Sequence, residues 1–330
     1  MEQLCGYTIT NPRGWTAEVL NYGATIQSIK IITAEGVTHA VVAGFDRAQD
    51  YRSTAHKKSN LHFGATIGRF AGRMGSGGFT IDEVFYPLET NDKGIQLHGG
   101  PDSLDTLYWQ VADDGQSSES VLELTVCSPS GHNGFPGNVQ IKARFEWQED
   151  TFRVTYTAKS DQATVFNMTN HAYFNLNGSG SIKGHQLTLS AGKRLVLDQD
   201  LLPTGAYAPV QESPYDFRQG SLLDPEPING WDTPFVLEGS RPQAVLYSKH
   251  SGIRLAVTTN QPGLVVFTPR NFTSLSSGHC PNASDWPAIC LECQNFPDAP
   301  NQPHFPSAVL RPGHRYEHKT DYYFSFDSDS

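Results

Sequence analysis

The sequence predicts an all-β protein, one large antiparallel sandwich or barrel-like domain over residues 1–330. Three observations predict it. Apolar and polar residues alternate with a period of two in many short segments. Turn clusters separate those segments, supplied by 30 Gly and 21 Pro. No amphipathic helix longer than about three turns can be drawn anywhere in the chain.

Along the chain, SVLELTV, NVQIKARFEW and FRVTYTAK come first. In the second, Val139, Ile141, Phe145 and Trp147 alternate with polar residues; in the third, Phe152, Val154 and Tyr156 alternate with Arg153, Thr155 and Thr157. HQLTLSA, RLVLD, IRLAVTT, GLVVFT and DYYFSF repeat the pattern towards the C-terminus. Between them lie DDGQSS, SPSGHNGFPGN, NGSGS and DPEPINGWD, whose Gly, Pro, Asn, Asp and Ser punctuate strands. No repeat, low-complexity tract or linker splits the chain.

Composition narrows the function classes. Charged residues are 18% and apolar residues 38%, an ordinary globular balance. Lys and Arg total 24 against 34 Asp and Glu, a formal charge of -10, which disfavours nucleic acid and anionic membrane as partners. The five cysteines are scattered and odd in number, unlike a disulfide framework. The N-terminus has neither basic nor apolar signal-peptide character, and no apolar run nears the ~18 residues of a membrane span. A cytoplasmic enzyme or binding protein is expected, and nothing specifies an oligomer.

Five stretches carry candidate chemistry. NMTNHAYFNL, residues 167–176, read as a strand, puts Asn167, Thr169, His171, Tyr173 and Asn175 on one face. That face has hydrogen-bonding groups and no Lys, Glu or Arg, with His171 at its centre. In AICLECQNFPDAPNQPHFP, from Ala288, Cys290, Glu292 and Gln294 share a face opposite Ile289, Leu291 and Cys293. Burial within so apolar a strand would raise the Glu292 pKa and suit it to accept a proton near neutral pH. Cys290 and Cys293 point to opposite faces and read as core thiols; with no second pair of ligands, no metal site is expected. GATIGRFAGRMGSGGF, residues 64–79, lacks the phosphate-loop Lys-Ser/Thr pair, but its glycines suit close approach of backbone to a ligand near Arg69 and Arg73. GIQLHGG leaves room beside the His98 imidazole. GWDTPF sets Trp231 beside Asp232, a combination suited to sugars: rings stack on C–H faces and carboxylates accept hydroxyl protons. Each residue alone fits a structural role. Together they suit proton transfer on a neutral, hydroxyl-rich ligand.

The order TIGRFAGRM, QLHGG, NMTNHAYFNL, PTGAYAPV, GWDTPF, CLECQNFPDAPNQPHFP resembles the aldose 1-epimerase (galactose mutarotase) family from about Asn21 to Phe324. The resemblance implies the galactose mutarotase-like supersandwich, a large antiparallel β-sandwich. It also implies interconversion of the α and β anomers of free aldoses without a cofactor. In that reading His171 is the general acid on the ring oxygen, a protonated imidazole near pH 7, and Glu292 is the general base on the C1 hydroxyl. Arg73, His98 and Asp232 match substrate-binding positions, His98 being turned towards the ring oxygen; Tyr173 and Gln294 join the pocket wall. Many relatives have Asn where this chain has Gly72 and His where it has Thr233, which implies two polar groups lost from the rim. The alternatives are a non-catalytic sugar-binding or sensing protein on the same fold, a hexose-phosphate 1-epimerase, and a glycoside hydrolase using Asp232 as second carboxylate.

Overall fold

A computed structural model describes residues 3–113, 115, 117–239, 242–272 and 284–327. Two antiparallel sheets dominate it. One has nine strands in the order Gln110–Val111, Val121–Ser128, Val139–Gln148, Thr151–Ser160, Tyr316–Phe326, Ile253–Thr259, Ala244–Ser248, His185–Leu189 and Ser221–Leu222. The other has seven, in the order Pro203–Pro209, Lys193–Leu197, Asp232–Val236, Gly263–Phe267, Ile289–Gln294, Tyr173–Phe174 and Val42–Ala43. A four-stranded sheet formed by Gly6–Thr10, Thr16–Leu20, Thr25–Ile32 and Thr38–Ala40 completes the larger architecture.

The period-two segments became these strands because alternation lets one face of each sheet leave water. In Val139–Gln148, Val139, Ile141, Ala143 and Phe145 are buried while Gln140 and Gln148 are exposed. They enter one core with Leu264, Val266, Ile289 and Leu291 of the seven-stranded sheet, so the two sheets pack face to face. The single α-helix among the described residues, Thr54–Ser59, is capped by the Ser53 hydroxyl, which accepts from His56 N–H. None of the described helices is long and apolar enough to cross a membrane.

The stretch 167–176 departs from the expected continuous strand. It forms two short pieces, Thr169–Asn170 and Tyr173–Phe174, with His171 and Ala172 in the break. The first pairs with Thr66–Ile67, the second with Ile289–Gln294 and Val42–Ala43. All ten residues are buried. The polar side chains bind backbone: Asn167 donates to Ala71 and Asn295 carbonyls, Thr169 to Cys293, Asn170 to Gly64 and Asn175 to Pro287. Such bonds tie the interrupted ladder to the carbonyls around it. The all-polar face is therefore largely a set of clamps; Asn175 borders a separate cavity, while His171 reaches the one that Glu292 also lines.

Candidate active site

That cavity, about 90 Å³, lies over the seven-stranded sheet. Arg73, His98, His171, Asp232, Glu292 and Gln294 all line it, with Gly72, Asn60, Leu97, Leu201, Phe267 and Pro297 among the remaining walls. Residues separated by more than 200 positions converge here because the central strands of the sheet are consecutive neighbours. Val265 pairs with Glu292, and Phe267 with Asp232.

His171 is fixed on all sides. Its N–H donates to the Ala65 carbonyl at 2.9 Å and its own carbonyl accepts from Gly64 N–H at 3.0 Å. A side chain at position 64 would overlap the Ile26 carbonyl, at 1.9 Å, so only glycine permits this approach. Nδ1 lies 3.5 Å from the Cys290 thiol, which turns Nε2 towards Glu292 Oε1 at 3.7 Å. Tyr173 is not at the pocket wall. It is fully buried behind His171, ring to ring at 5.0 Å, and packs on Phe63 and Phe272.

Glu292 is 3% exposed. Burial pushes its carboxyl up to about 8; Asp232 adds to the push and Arg73 opposes it. Burial also drives His171 down to about 3, with the neighbouring His62 lowering it further. Both shifts disfavour charge, so the proton of this pair rests on Glu292 in the sugar-free chain. The expected imidazolium at neutral pH is corrected accordingly: the ring is 4% exposed with no carboxylate in hydrogen-bond reach, and its backbone hydrogen bond and the more distant Asp105 charge do not make up for the lost hydration.

His98 and Gly72 hold each other. His98 N–H donates to the Gly72 carbonyl at 2.9 Å, and Gly72 N–H donates to His98 Nδ1 at 3.2 Å. Nδ1 must then be unprotonated, and the neutral ring carries its hydrogen on Nε2, a fixed donor. Burial holds His98 well below its ordinary pKa. The two glycines after it admit main chain and a side chain: a Cβ at Gly99 would lie 2.4 Å from Gly68 O, and one at Gly100 2.8 Å from Asn133. His98, His171 and Glu292 could surround an ion by proximity, with ligand atoms within 4.8 Å of one another. The Gly72 bond does not fit that use, because binding an ion through Nε2 would place a hydrogen on Nδ1 against the Gly72 N–H.

Arg73 and Asp232 form a half-buried ion pair at the opposite wall, Nη1 to Oδ2 at 3.2 Å. Gln294 donates to the Ala71 carbonyl at 3.4 Å. Gly72 has φ +82°, and a Cβ there would stand 3.0 Å from Pro297 and 3.1 Å from Gln294 Nε2, so the absence of a side chain does open the wall. Thr233 is different. It alternates with Asp232 and Pro234, which face the cavity, and is itself buried on the other side. It removes nothing from the rim.

Arg69 lies outside the cavity. It is 2% exposed and caged by oxygens of Ser128, Pro129 and Pro136. Sequence reasoning did not reach His62 and Asp105, 43 residues apart and bonded at 2.8 Å beside the imidazoles. No spacing signals such a pair. Cys290 was within reach, since it shares the alternating face of Glu292.

Comparison with known proteins identifies the family. The family model for aldose 1-epimerase matches residues 6–323. The chain is 35% identical to galactose mutarotase of Homo sapiens over 322 residues, covering 93% of this chain and 90% of that protein. It is 30% identical to aldose 1-epimerase of Escherichia coli strain K12 over 333 residues, covering 96% and 94%. Among solved structures, a GalM/aldose epimerase homologue from C. elegans superposes with a TM-score of 0.88 at 27% identity, covering 99% of this chain and all of that one. Galactose 1-epimerase from Lactobacillus acidophilus NCFM gives 0.83 at 29% identity, covering 99% and 96%.

Proposed function

The chain belongs to the aldose 1-epimerase family, and from that premise we propose that it interconverts the α and β anomers of free aldoses such as galactose and glucose, with His171 and Glu292 as the acid–base pair. It is an isomerase acting on carbohydrates. The observation that carries the residue assignment is the one-proton pair: a buried imidazole and a buried carboxyl 3.7 Å apart, one lowered and the other raised in pKa, at the wall of one cavity.

The chemistry needs one proton handed in opposite directions at two oxygens. In ring opening His171 Nε2–H protonates the ring oxygen as the C1–O5 bond breaks, and Glu292 takes the proton of the C1 hydroxyl. The open aldehyde rotates about C1–C2. In closure the ring hydroxyl attacks the other face of C1, returning its proton to His171, while Glu292 returns its proton to O1. No proton is gained or lost overall. The sugar-free state, with neutral His171 and protonated Glu292, is the protonation that closure starts from. Opening needs the same proton on His171. Sugar hydroxyls donating to the Glu292 carboxylate would favour that arrangement, because they supply the hydrogen bonds the empty site lacks.

Arg73, Asp232 and the Nε2–H of His98 hold the sugar, His98 towards the ring oxygen. Gln294 forms wall, and Tyr173 supports His171 from behind. The cavity draws on residues from Asn60 to Pro297, which supports reading residues 1–330 as one domain. Free thiols at Cys5, Cys127, Cys290 and Cys293 support a cytoplasmic, reducing setting; the role in hexose metabolism follows from the proposed reaction on free aldoses. Polarimetry on freshly dissolved α-D-glucose and α-D-galactose tests the activity. Faster decay to the unchanged equilibrium rotation is expected; sugar-dependent thermal stabilisation without acceleration would instead identify a binding protein.

A further inference from the structure

One cluster beside the cavity has no part in the sugar-holding set. His62 adopts φ +47°, a left-handed conformation that His and Asn tolerate better than most residues. Its carbonyl accepts from Ala65 N–H, and Ala65 and Gly64 are the residues bonded to the main chain of His171. The same turn thus sets both histidines. His62 Nδ1 lies 2.8 Å from Asp105 Oδ2, and Asp105 Oδ1 accepts from the Ser103 hydroxyl at 2.5 Å. Burial pushes the Asp105 carboxyl up, but the bond to His62 and its charge outweigh this and leave it below the usual range. Asp105 is therefore ionised and keeps a hydrogen on His62 Nδ1.

Three imidazoles meet here. Ring centroids are 5.0 Å apart for His62 and His98, 5.9 Å for His62 and His171, and 5.4 Å for His98 and His171. Of the three, His62 has a carboxylate in direct hydrogen-bond contact. It also borders an open groove of about 460 Å³, lined by Lys57, Glu89, Tyr22, Tyr51 and His56 as well. Asn60 and Leu97 belong to the walls of both groove and catalytic cavity. His62 therefore borders open space, whereas His171 is enclosed. A positive charge on His62 opposes a second one on His171 or His98, and Arg73 opposes it further at His98.

We propose that His62, keyed by Asp105, is a positioning residue for the epimerase reaction: a positive charge held there against Asp105 opposes one on His171 and adds to the burial that keeps His171 neutral until a sugar is bound. The proposal rests on the 1-epimerase reading for its role in turnover, but not for its effect on the His171 proton. Adjacent like charges disfavour one another strongly at such separations.

The test is His62→Asn, which tolerates the left-handed backbone, retains an amide donor near Asp105 and removes the charge. By NMR of histidine imidazole nitrogens in the sugar-free protein, His171 should titrate at higher pH in the variant, by about one unit or more. An unchanged His171 titration in a folded variant would overturn the proposal, whether or not the protein is active. In turnover, the pH profile of kcat/KM should move to higher pH by a similar amount, with KM altered less than about twofold. Superimposed profiles would overturn the catalytic part. If the parent protein shows no anomer exchange, the 1-epimerase reading fails while the titration still decides the dyad.

Discussion

Arg69 and the His171–Glu292 pair are both buried ionisable sites, built in opposite ways. Every guanidinium nitrogen of Arg69 is spent: Nε on the Ser128 hydroxyl, Nη1 on the Pro136 carbonyl, Nη2 on the carbonyls of Ser128 and Pro129. Burial lowers its pKa only to about 10, so it stays charged. At Glu292 no hydrogen bond from the described residues holds the carboxyl, and the imidazole 3.7 Å away lies beyond bonding distance. The first site has completed its interactions and has nothing left for a ligand. The second keeps an incomplete set, which sugar hydroxyls would complete in the proposed reaction. A buried polar group with satisfied partners stabilises a fold; one without them costs stability and is retained where chemistry uses it.

The largest expected effect separates the two sites directly. Glu292→Gln and His171→Asn should each lower kcat by about 10²- to 10⁴-fold, the usual worth of a placed acid or base, with KM changing only a few-fold. Anomer exchange followed by polarimetry reads both numbers. A parallel rise in KM would move either residue from catalysis to binding. Arg69→Met should do the reverse. It strands several buried carbonyls and should cost on the order of 3 kcal/mol in urea unfolding, while the folded fraction keeps near-parental kcat.

The pH dependence of stability sharpens the contrast. Glu292 binds its proton more tightly folded, about 8, than its ordinary 4.5. Across that interval the native state holds more protons than the unfolded state, so this group makes stability fall as pH rises from about 4.5 to 8. His171 works in the opposite sense over a lower, overlapping range: its depressed folded value makes stability rise between about 3 and 6.5. Glu292→Gln removes the alkaline loss. At pH 8.5 the variant should be more stable than the parent by up to about 5 kcal/mol, and the two should converge near pH 4. Thermal melts across pH would show this; curves that stay parallel would place Glu292 among satisfied carboxylates.

A smaller effect concerns the facing wall. Arg73 and Asp232 remain partly solvated, and their pair bond at 3.2 Å is available for exchange with sugar hydroxyls. Asp232→Asn should raise KM about tenfold, the worth of one charge-assisted hydrogen bond, with a lesser change in kcat. A kcat loss matching that of Glu292→Gln would give Asp232 a catalytic role after all.

The sequence by itself determined the fold class and most of the polar residues that line the pocket. Alternation in segments such as 139–148 carries its own physical instruction, because a period of two buries one face of a strand whatever its neighbours are. The same alternation placed Glu292 and Gln294 on one side of their strand, and motif order identified His171, His98, Arg73 and Asp232. Tertiary structure decided the rest. Only the broken ladder around His171 shows that Asn167, Thr169, Asn170 and Asn175 clamp backbone rather than meet a ligand. Only packing puts Tyr173 behind the imidazole, Thr233 on the far face and Arg69 in its carbonyl cage. Burial set the proton on Glu292 instead of His171, and folding brought Asp105 to His62. These outcomes depend on which distant groups a side chain meets and on how much water remains around it, and neither quantity is written in local spacing.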